Sequence, residues 1–425
     1  MSTDSMFWTR RELLKTLAAA PVAAAVPSDA LAQAPSAAQS AQYGAGTLPA
    51  GIRSRMANNV NGITFHVLEA GFEPAGRPCV LLVHGFPELA YSWRKIMVPL
   101  AQAGFHVIAP DQRGYGRSGG TDVTFDDDLS PFTTLNHVRD MLGIVAAFGD
   151  RSVTAVVGHD YGSPVAAWCA LTRPDVFRAV ALMSAPFSGA PALPLNTLDQ
   201  PPRQSAPTGR SVDADLAALP VPRKHYQAYY ATRPANENMW HARQGIHDFL
   251  RAYYHFKSAD WKENQPHPLT AYNASELAKL PRYYVMDREK GMAETVAEVM
   301  PSAAAIAACK WLPDDELRVY SSEYGRTGFQ GGLQSYRIGQ DAKWSTELAL
   351  FAGRTIDVPS VFISGKSDWG VYQRAGSLEA MQKTACTQMR GVHLIDGAGH
   401  WVQQEQPAEV TRLLLEFLRG SARTA

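Results

Sequence analysis

Two kinds of spacing alternate along this chain. Short apolar runs that stop at a glycine or a polar residue are separated by stretches whose apolar positions recur every three or four residues. Residues 62–70 alternate apolar and polar, the pattern of a strand with one wet face. Residues 79–84 stay apolar until His84, the pattern of a parallel strand buried on both faces. Similar short runs return at 105–110, 153–157, 178–183, 358–365 and 392–395, and helical spacing fills 92–103, 135–148 and 408–419. Strands and helices in this order predict an α/β fold, a doubly wound and mostly parallel sheet whose ligand site lies beyond the C-terminal ends of its strands.

One gap breaks the alternation. Residues 184–357 are too many for a single crossover, so they predict a separate, largely helical lid inserted between core strands 6 and 7. Its first part, 188–222, is rich in proline and polar residues and reads as loop. Aromatic clusters follow, around Tyr226, Tyr229, Tyr230, Tyr253, Tyr254, Tyr283, Tyr284 and Tyr336, and by default they fill the lid core. The expected organisation is an export signal over 1–32, a flexible linker over 33–57, a first core segment over 58–187, the lid over 188–345 and a second core segment over 346–425.

Composition narrows the function classes. A chain of 425 residues with 46% apolar content can bury a large core, and zero net charge without a basic block argues against nucleic acid or an anionic surface as partner. The expected partner is a small neutral molecule, and a homo-oligomer is compatible with the same composition. Arg10 and Arg11, the short apolar stretch after them and Ala30-Leu31-Ala32 together describe a cleavable signal of the twin-arginine kind. It predicts an exported protein, periplasmic or secreted, with no stable membrane anchor once the signal is removed. Cys79, Cys169, Cys309 and Cys386 are scattered and are expected as free thiols, and the histidines show no metal-ligand spacing. Neither a metal nor another cofactor is expected.

Candidate chemistry sits at one turn. A β-branched run ends at Gly158, Asp160 stands between Gly158 and Gly162, and an alanine-rich stretch follows, which reads as strand, sharp turn and helix. Such a turn lifts its middle side chain off the end of the sheet as a nucleophile. An isolated turn of this form would equally suit an aspartate capping the next helix. What raises the catalytic reading is the company at the same sheet edge. The loop His84-Gly85-Phe86-Pro87 follows one strand, and the amides of Phe86 and Tyr161 are placed to converge as an oxyanion hole, with His84, Gly85 and Pro87 shaping the loop. Asp368 follows the strand ending at 365 and His400 the strand ending at 395. Asp396 is the alternative acid, but it shares a turn with His400, whereas an orienting acid usually arrives from a neighbouring loop. The order nucleophile, acid, histidine is that of an α/β-hydrolase.

The segments His84-Gly85-Phe86-Pro87-Glu88, Asp111-Gln112-Arg113-Gly114-Tyr115-Gly116-Arg117-Ser118, Gly158-His159-Asp160-Tyr161-Gly162 and Gly399-His400-Trp401 resemble those of the α/β-hydrolase-fold epoxide hydrolases. The likeness covers nearly all of the chain from residue 58. It implies that Asp160 attacks an epoxide carbon to form an alkyl ester, which water activated by His400 and Asp368 releases as a vicinal diol, without a cofactor. It also implies that Tyr226 and Tyr336 protonate the opening ring, with Tyr229, Tyr253 and Tyr254 competing for the place of Tyr226. The aromatic lid favours a small apolar, aryl-bearing epoxide as substrate. Two positions depart from the family pattern: Tyr161 stands where tryptophan is common and Ser163 where glycine is common. Two rivals follow. One is a haloalkane or haloacid dehalogenase that uses the same ester cycle with Trp93 or Trp240 as halide donor, and the other is a non-catalytic small-molecule binding protein on this fold.

Overall fold

The computed structural model describes residues 43–44, 46–192 and 211–422. The export signal, the first part of the linker and residues 193–210 of the expected loop lie outside them. Among the described residues the strands are β1 (Ile52–Val60), β2 (Ile63–Ala70), β3 (Cys79–Val83), β4 (His106–Pro110), β5 (Ala155–His159), β6 (Val180–Met183), β7 (Arg223–His225), β8 (Val285–Asp287), β9 (Ser360–Gly365) and β10 (Met389–Ile395). Eight of them form one sheet in the order β1-β2-β4-β3-β5-β6-β9-β10, and β7 pairs with β8 separately. Strand β2 runs antiparallel to β1 and β4, and the other sheet contacts are parallel.

Alternation along the strands explains the two faces. Cys79, Leu81 and Val83 of β3 pack with Met141 and Ile144 of α2 (Thr134–Ala147) and Ala166 of α3 (Gly162–Thr172). Val80 and Leu82 point the other way, against Ile96 and Leu100 of α1 (Arg94–Gln102) and Leu414 and Phe417 of the closing helix (Pro407–Ala422). Burial of each such side chain is worth roughly 1.5–3 kcal/mol, which pins the register, since a slip of one residue would exchange the faces. The closing helix follows the same logic: Val410, Leu413, Leu414, Phe417 and Leu418 form its inner stripe, while Arg412 pairs with Glu409 and Glu416 outside.

Two expectations need correction. Residues 52–57, assigned to the linker, belong to β1. This edge strand buries only Ile52, Ala57 and Val60 and is held by backbone pairing with β2 and by Arg53 and Arg55 on Glu69, so it carries no clean apolar alternation. Within the stretch 188–222, a helix at Val212–Ala217 replaces loop; Ser211 caps it through the Ala214 amide and Leu216 is its one buried apolar residue, too little to show as periodicity.

Between β6 and β9 the chain leaves the sheet. This insertion carries β7, β8 and mostly helices, among them α4 (Ile246–Lys257) and α5 (Gln330–Ile338), and its aromatic core closes over Phe86 and Leu89 of the loop after β3. Among the described residues no helix is long and apolar enough to cross a membrane.

Candidate active site

Asp160 follows β5 directly and holds φ at +51°, a left-handed conformation rare for a side chain larger than glycine. Close packing enforces it. A Cβ on Gly158 would collide with the backbone of Gly162, and one on Gly162 with the carbonyls of Val83 and His84. The turn is fixed by the Asp160 amide donating to Met183 O at 3.2 Å and the Ser163 amide donating to Asp160 O at 3.0 Å. The Ser163 hydroxyl donates to Ala185 O at 2.6 Å, which takes it out of contention as a nucleophile.

Both carboxylate oxygens of Asp160 are engaged. The Phe86 amide donates to Oδ1 at 2.9 Å, and His400 Nε2 lies 3.1 Å from Oδ2. On the other side of the ring His400 Nδ1 lies 3.0 Å from Asp368 Oδ1. Asp368 in turn accepts from the Gly370 amide at 2.7 Å and from the Ser364 hydroxyl at 3.0 Å. Burial alone would push the Asp160 carboxyl up, but the His400 hydrogen bond and the positive charges of Lys257 and His159 overcome it and hold the group well below the usual carboxylate range. Asp368 behaves likewise: burial raises it, and His400, the Gly370 amide and Lys257 bring it below its ordinary value. Both acids are therefore ionised at neutral pH. Asp396, the alternative acid, pairs with Lys366 at 2.8 Å on the exposed surface. Of the two amides expected at the carboxylate, that of Phe86 meets it; Tyr161 heads α3, and its phenol donates to Ser335 O at 3.4 Å.

Tyr336, on α5, packs its ring 5.5 Å from Phe86 and 5.7 Å from Tyr161. Tyr226 lies beside it, with centroids 6.1 Å apart. Burial lifts both phenols well above their usual value and the Asp160 charge lifts them further, so both remain protonated donors. The Tyr226 hydroxyl accepts from Gln227 Nε2 at 3.2 Å and donates to Gln373 Oε1 at 3.4 Å. Two of the competitors are engaged elsewhere: Tyr254 donates to Pro87 O at 3.0 Å and the Tyr229 ring carries the Lys224 ammonium at 4.4 Å. The Tyr253 hydroxyl accepts from Tyr230 at 3.2 Å, which leaves its own proton free, and it lies within the field of Asp160. A cavity of about 390 Å³, lined by Tyr161, Tyr336, Gln227, Ser335 and Arg374 among others, opens beside the two tyrosines.

The supporting groups are mostly buried. His84 Nδ1 donates to Gly85 O at 2.8 Å and its Nε2 accepts the Gln112 amide at 3.0 Å, which makes it a loop brace. Gly85 has no room for a side chain, because a Cβ would meet the Asp160 carboxyl, and the Phe86–Pro87 peptide is cis. Three residues without an assigned role in the sequence reading complete the shell. Glu88 accepts from His159 at 2.5 Å, Gln403 at 2.8 Å, the Gly85 amide at 3.2 Å and Gln404 at 3.2 Å, and so ties the loop after β3 to the end of β5 and to the short helix Val402–Glu405. Glu405 accepts the amides of Gly399 and Trp401 at 3.0 Å and fixes the turn that presents His400. Lys257 contributes positive charge. Glu88 could have been singled out from its motif; the other two have no local signal.

All four cysteines are free thiols. Among the described residues, one cluster of metal-ligand type, Cys79, His106 and Asp150, sits at the opposite end of β3 and β4 from Asp160, where His106 is already bonded to Glu69 at 2.9 Å and Asp150 at 3.2 Å. The indole N–H groups considered as halide donors do not serve the site: Trp240 donates to Gly325 O at 3.0 Å and Trp93 lies in the core on the α1 face of the sheet.

Residues 78–407 match the family model described as alpha/beta hydrolase fold. The chain is 35% identical to epoxide hydrolase A of Mycobacterium tuberculosis over 378 residues, covering 85% of this chain and 96% of that protein. It is 33% identical to an epoxide hydrolase of Caballeronia sordidicola over 360 residues, covering 84% and 92% respectively. Among solved structures, an epoxide hydrolase from an endophytic Streptomyces superposes with a TM-score of 0.68 at 31% identity, over 88% of this chain and 97% of that one.

Proposed function

The chain belongs to the epoxide hydrolases of the α/β-hydrolase fold, and from that premise we propose that it opens its substrate through a covalent ester on Asp160. It is an enzyme that hydrolyses epoxides with water. The Phe86 amide already holds Oδ1, the position of an ester carbonyl oxygen, which leaves Oδ2 to attack the ring carbon. As the C–O bond of the ring breaks, the departing oxygen takes a proton from one of the two phenols, Tyr226 or Tyr336, while the other holds it by a hydrogen bond. Esterification releases His400 Nε2 from Oδ2, and the imidazole, oriented by Asp368, takes a proton from water as it adds to the ester carbon. Collapse of the tetrahedral oxyanion breaks the bond between that carbon and the alkyl oxygen, and His400 returns the proton to the departing diol; the second proton of the water, left on the Asp160 carboxyl, passes to the phenolate, which restores both the carboxylate and the phenol.

The observation that carries this reading is the double engagement of one carboxylate, by a backbone amide on one oxygen and by a histidine of an acid–histidine pair on the other. The test is a single turnover in heavy-oxygen water. The Asp160 peptide gains the label while the first diol formed does not; label appearing directly in that diol would mean that water attacks the ring itself.

For the substrate we infer an apolar, aryl-bearing epoxide. Support comes from the rings of Tyr230 and Phe86 at 5.1 and 5.5 Å from Tyr336, and of Phe329 at 5.9 Å from Phe86. Specificity constants for an aryl epoxide against a small polar one decide it. For the leader we infer twin-arginine export, on Arg10, Arg11 and the segment ending at Ala32. Fractionation of cells producing the full chain and its Arg10→Lys/Arg11→Lys form tests this, the inference failing if both forms distribute alike.

A further inference from the structure

Lys257 ends α4 and is 2% exposed. Its ammonium lies 5.2 Å from the ring centre of Trp401, 5.3 Å from Tyr284, 5.6 Å from Tyr253 and 5.9 Å from Tyr283. Among the described residues none offers this ammonium a hydrogen bond or an ion pair at contact distance. Enclosing an ammonium among aromatic rings without a polar side chain in contact is unfavourable, and the rings return only part of the cost. Surface solubility and ordinary helix capping do not explain such a placement, since a terminal lysine serves both from solvent.

Its surroundings are the catalytic ones. The Lys257 carbonyl accepts the His400 amide at 2.9 Å, and Trp401, which flanks the ammonium, packs its ring 4.7 Å from that of His400. The acids whose charges act on it are Asp160, Asp368 and Glu88, all buried.

We propose that Lys257 is the positioning cation of the hydrolytic half-reaction, stabilising the negative charge that returns to Asp160 when the ester is cleaved. The inference rests on the covalent-ester reading above. Ring opening carries negative charge away from Asp160 toward the epoxide oxygen, and the resulting ester is neutral. Water addition then places charge back on Oδ1, and collapse regenerates the carboxylate. A fixed positive charge on this side favours the resting carboxylate and the hydrolytic oxyanion while opposing the departure of charge in ring opening. Its effects on the two steps therefore differ in sign, which a merely structural lysine would not produce.

The test uses the full enzyme and styrene oxide as probe, with quenched single turnovers and mass measurement of the Asp160 peptide to time ester formation and decay. In Lys257→Met, which keeps the chain shape without the charge, decay slows roughly tenfold while formation stays level or quickens, so the ester accumulates. Lys257→Arg restores decay to within about threefold of wild type. Formation and decay falling together, or neither changing, would overturn the proposal. Should Lys257→Met not fold, Lys257→Gln takes the same measurement; both neutral variants failing to fold while the arginine variant folds would also overturn it, in favour of a structural cation. A wild-type enzyme that forms no ester at all would instead sink the Asp160 reading.

Discussion

His400 Nε2 rests 3.1 Å from Asp160 Oδ2, so the base of the second step is occupied by the nucleophile of the first. The contact orders the reaction. While Asp160 is a free carboxylate it holds the imidazole and is held by it; once an alkyl group takes Oδ2, that bond is lost and a water can fill the place. Asp368 Oδ1, at 3.0 Å from Nδ1, keeps the ring facing the same way throughout.

Replacing the base should therefore separate the two steps. His400→Asn is expected to lower steady-state turnover about 10³-fold or more while ring opening persists. The check is the mass of the Asp160 peptide after one turnover, which should carry the substrate in nearly stoichiometric amount; an unmodified peptide would show that His400 is needed for attack as well.

Asp368 and Asp396 can be told apart in the same way. Asp368→Asn leaves the ring with the wrong tautomer and should cost roughly 10³–10⁴-fold in turnover. Asp396→Asn removes only an exposed pair with Lys366 and should leave both turnover and thermal stability near wild type. Steady-state kinetics on the two variants decide between them, and a large loss in the second would reverse the assignment.

The residues that were legible in the sequence share one property. Asp160, Asp368 and His400 each stand just past an apolar run that has to be a buried strand, so the rule that sites lie beyond strand ends locates all of them at once. The parts that were not legible lack any local pattern. β1 is an edge strand stabilised by backbone pairing, and the helix Val212–Ala217 buries a single leucine. Lys257 and Glu405 draw their roles from segments far away in the chain, the first from Trp401, the second from the amide of Ala259. A lone lysine at a helix end, or a glutamate among glutamines, reads as surface until the neighbours are known.

The two phenols should contribute jointly. Tyr336→Phe and Tyr226→Phe are each expected to slow ester formation about 10²-fold, and the double variant to abolish it within the limits of a stopped-flow trace. Decay of ester formed beforehand should be unaffected in the single variants. If Tyr226→Phe forms ester at the wild-type rate while Tyr253→Phe does not, the first donor is Tyr253, whose hydroxyl also feels the Asp160 charge.

Gly85 offers a test of the loop that supplies the Phe86 amide. A methyl group there would overlap the Cβ and carboxyl of Asp160, neither of which can retreat without losing the bonds to Phe86 and His400. Gly85→Ala should lose about 10²-fold or more in turnover with the fold retained by circular dichroism. Near-normal activity would mean that the elbow yields more easily than its packing implies.

The buried pair of Glu88 and His159 should give stability a pH window. Burial disfavours both charges, but each partner overrides it: Glu88 is held below its ordinary value and His159 above its own. The contribution of Glu88 is complete above its unfolded value of roughly 4.3 and is lost as pH falls toward its folded value. That of His159 is complete below its unfolded value of about 6.5 and is lost as pH rises through its folded value. The pair thus stabilises most between about pH 4.5 and 6.5. Glu88→Gln removes one partner, leaves His159 buried without a counter-charge and should cost about 3–5 kcal/mol inside that window. Urea unfolding of both proteins across the pH range measures it: the gap between them should narrow on the acid side, where Glu88 takes up a proton, and on the alkaline side, where His159 gives one up. A gap that stays constant with pH would mean that Glu88 acts only through its hydrogen bonds to the Gly85 amide, Gln403 and Gln404, and that the elbow is held by geometry alone.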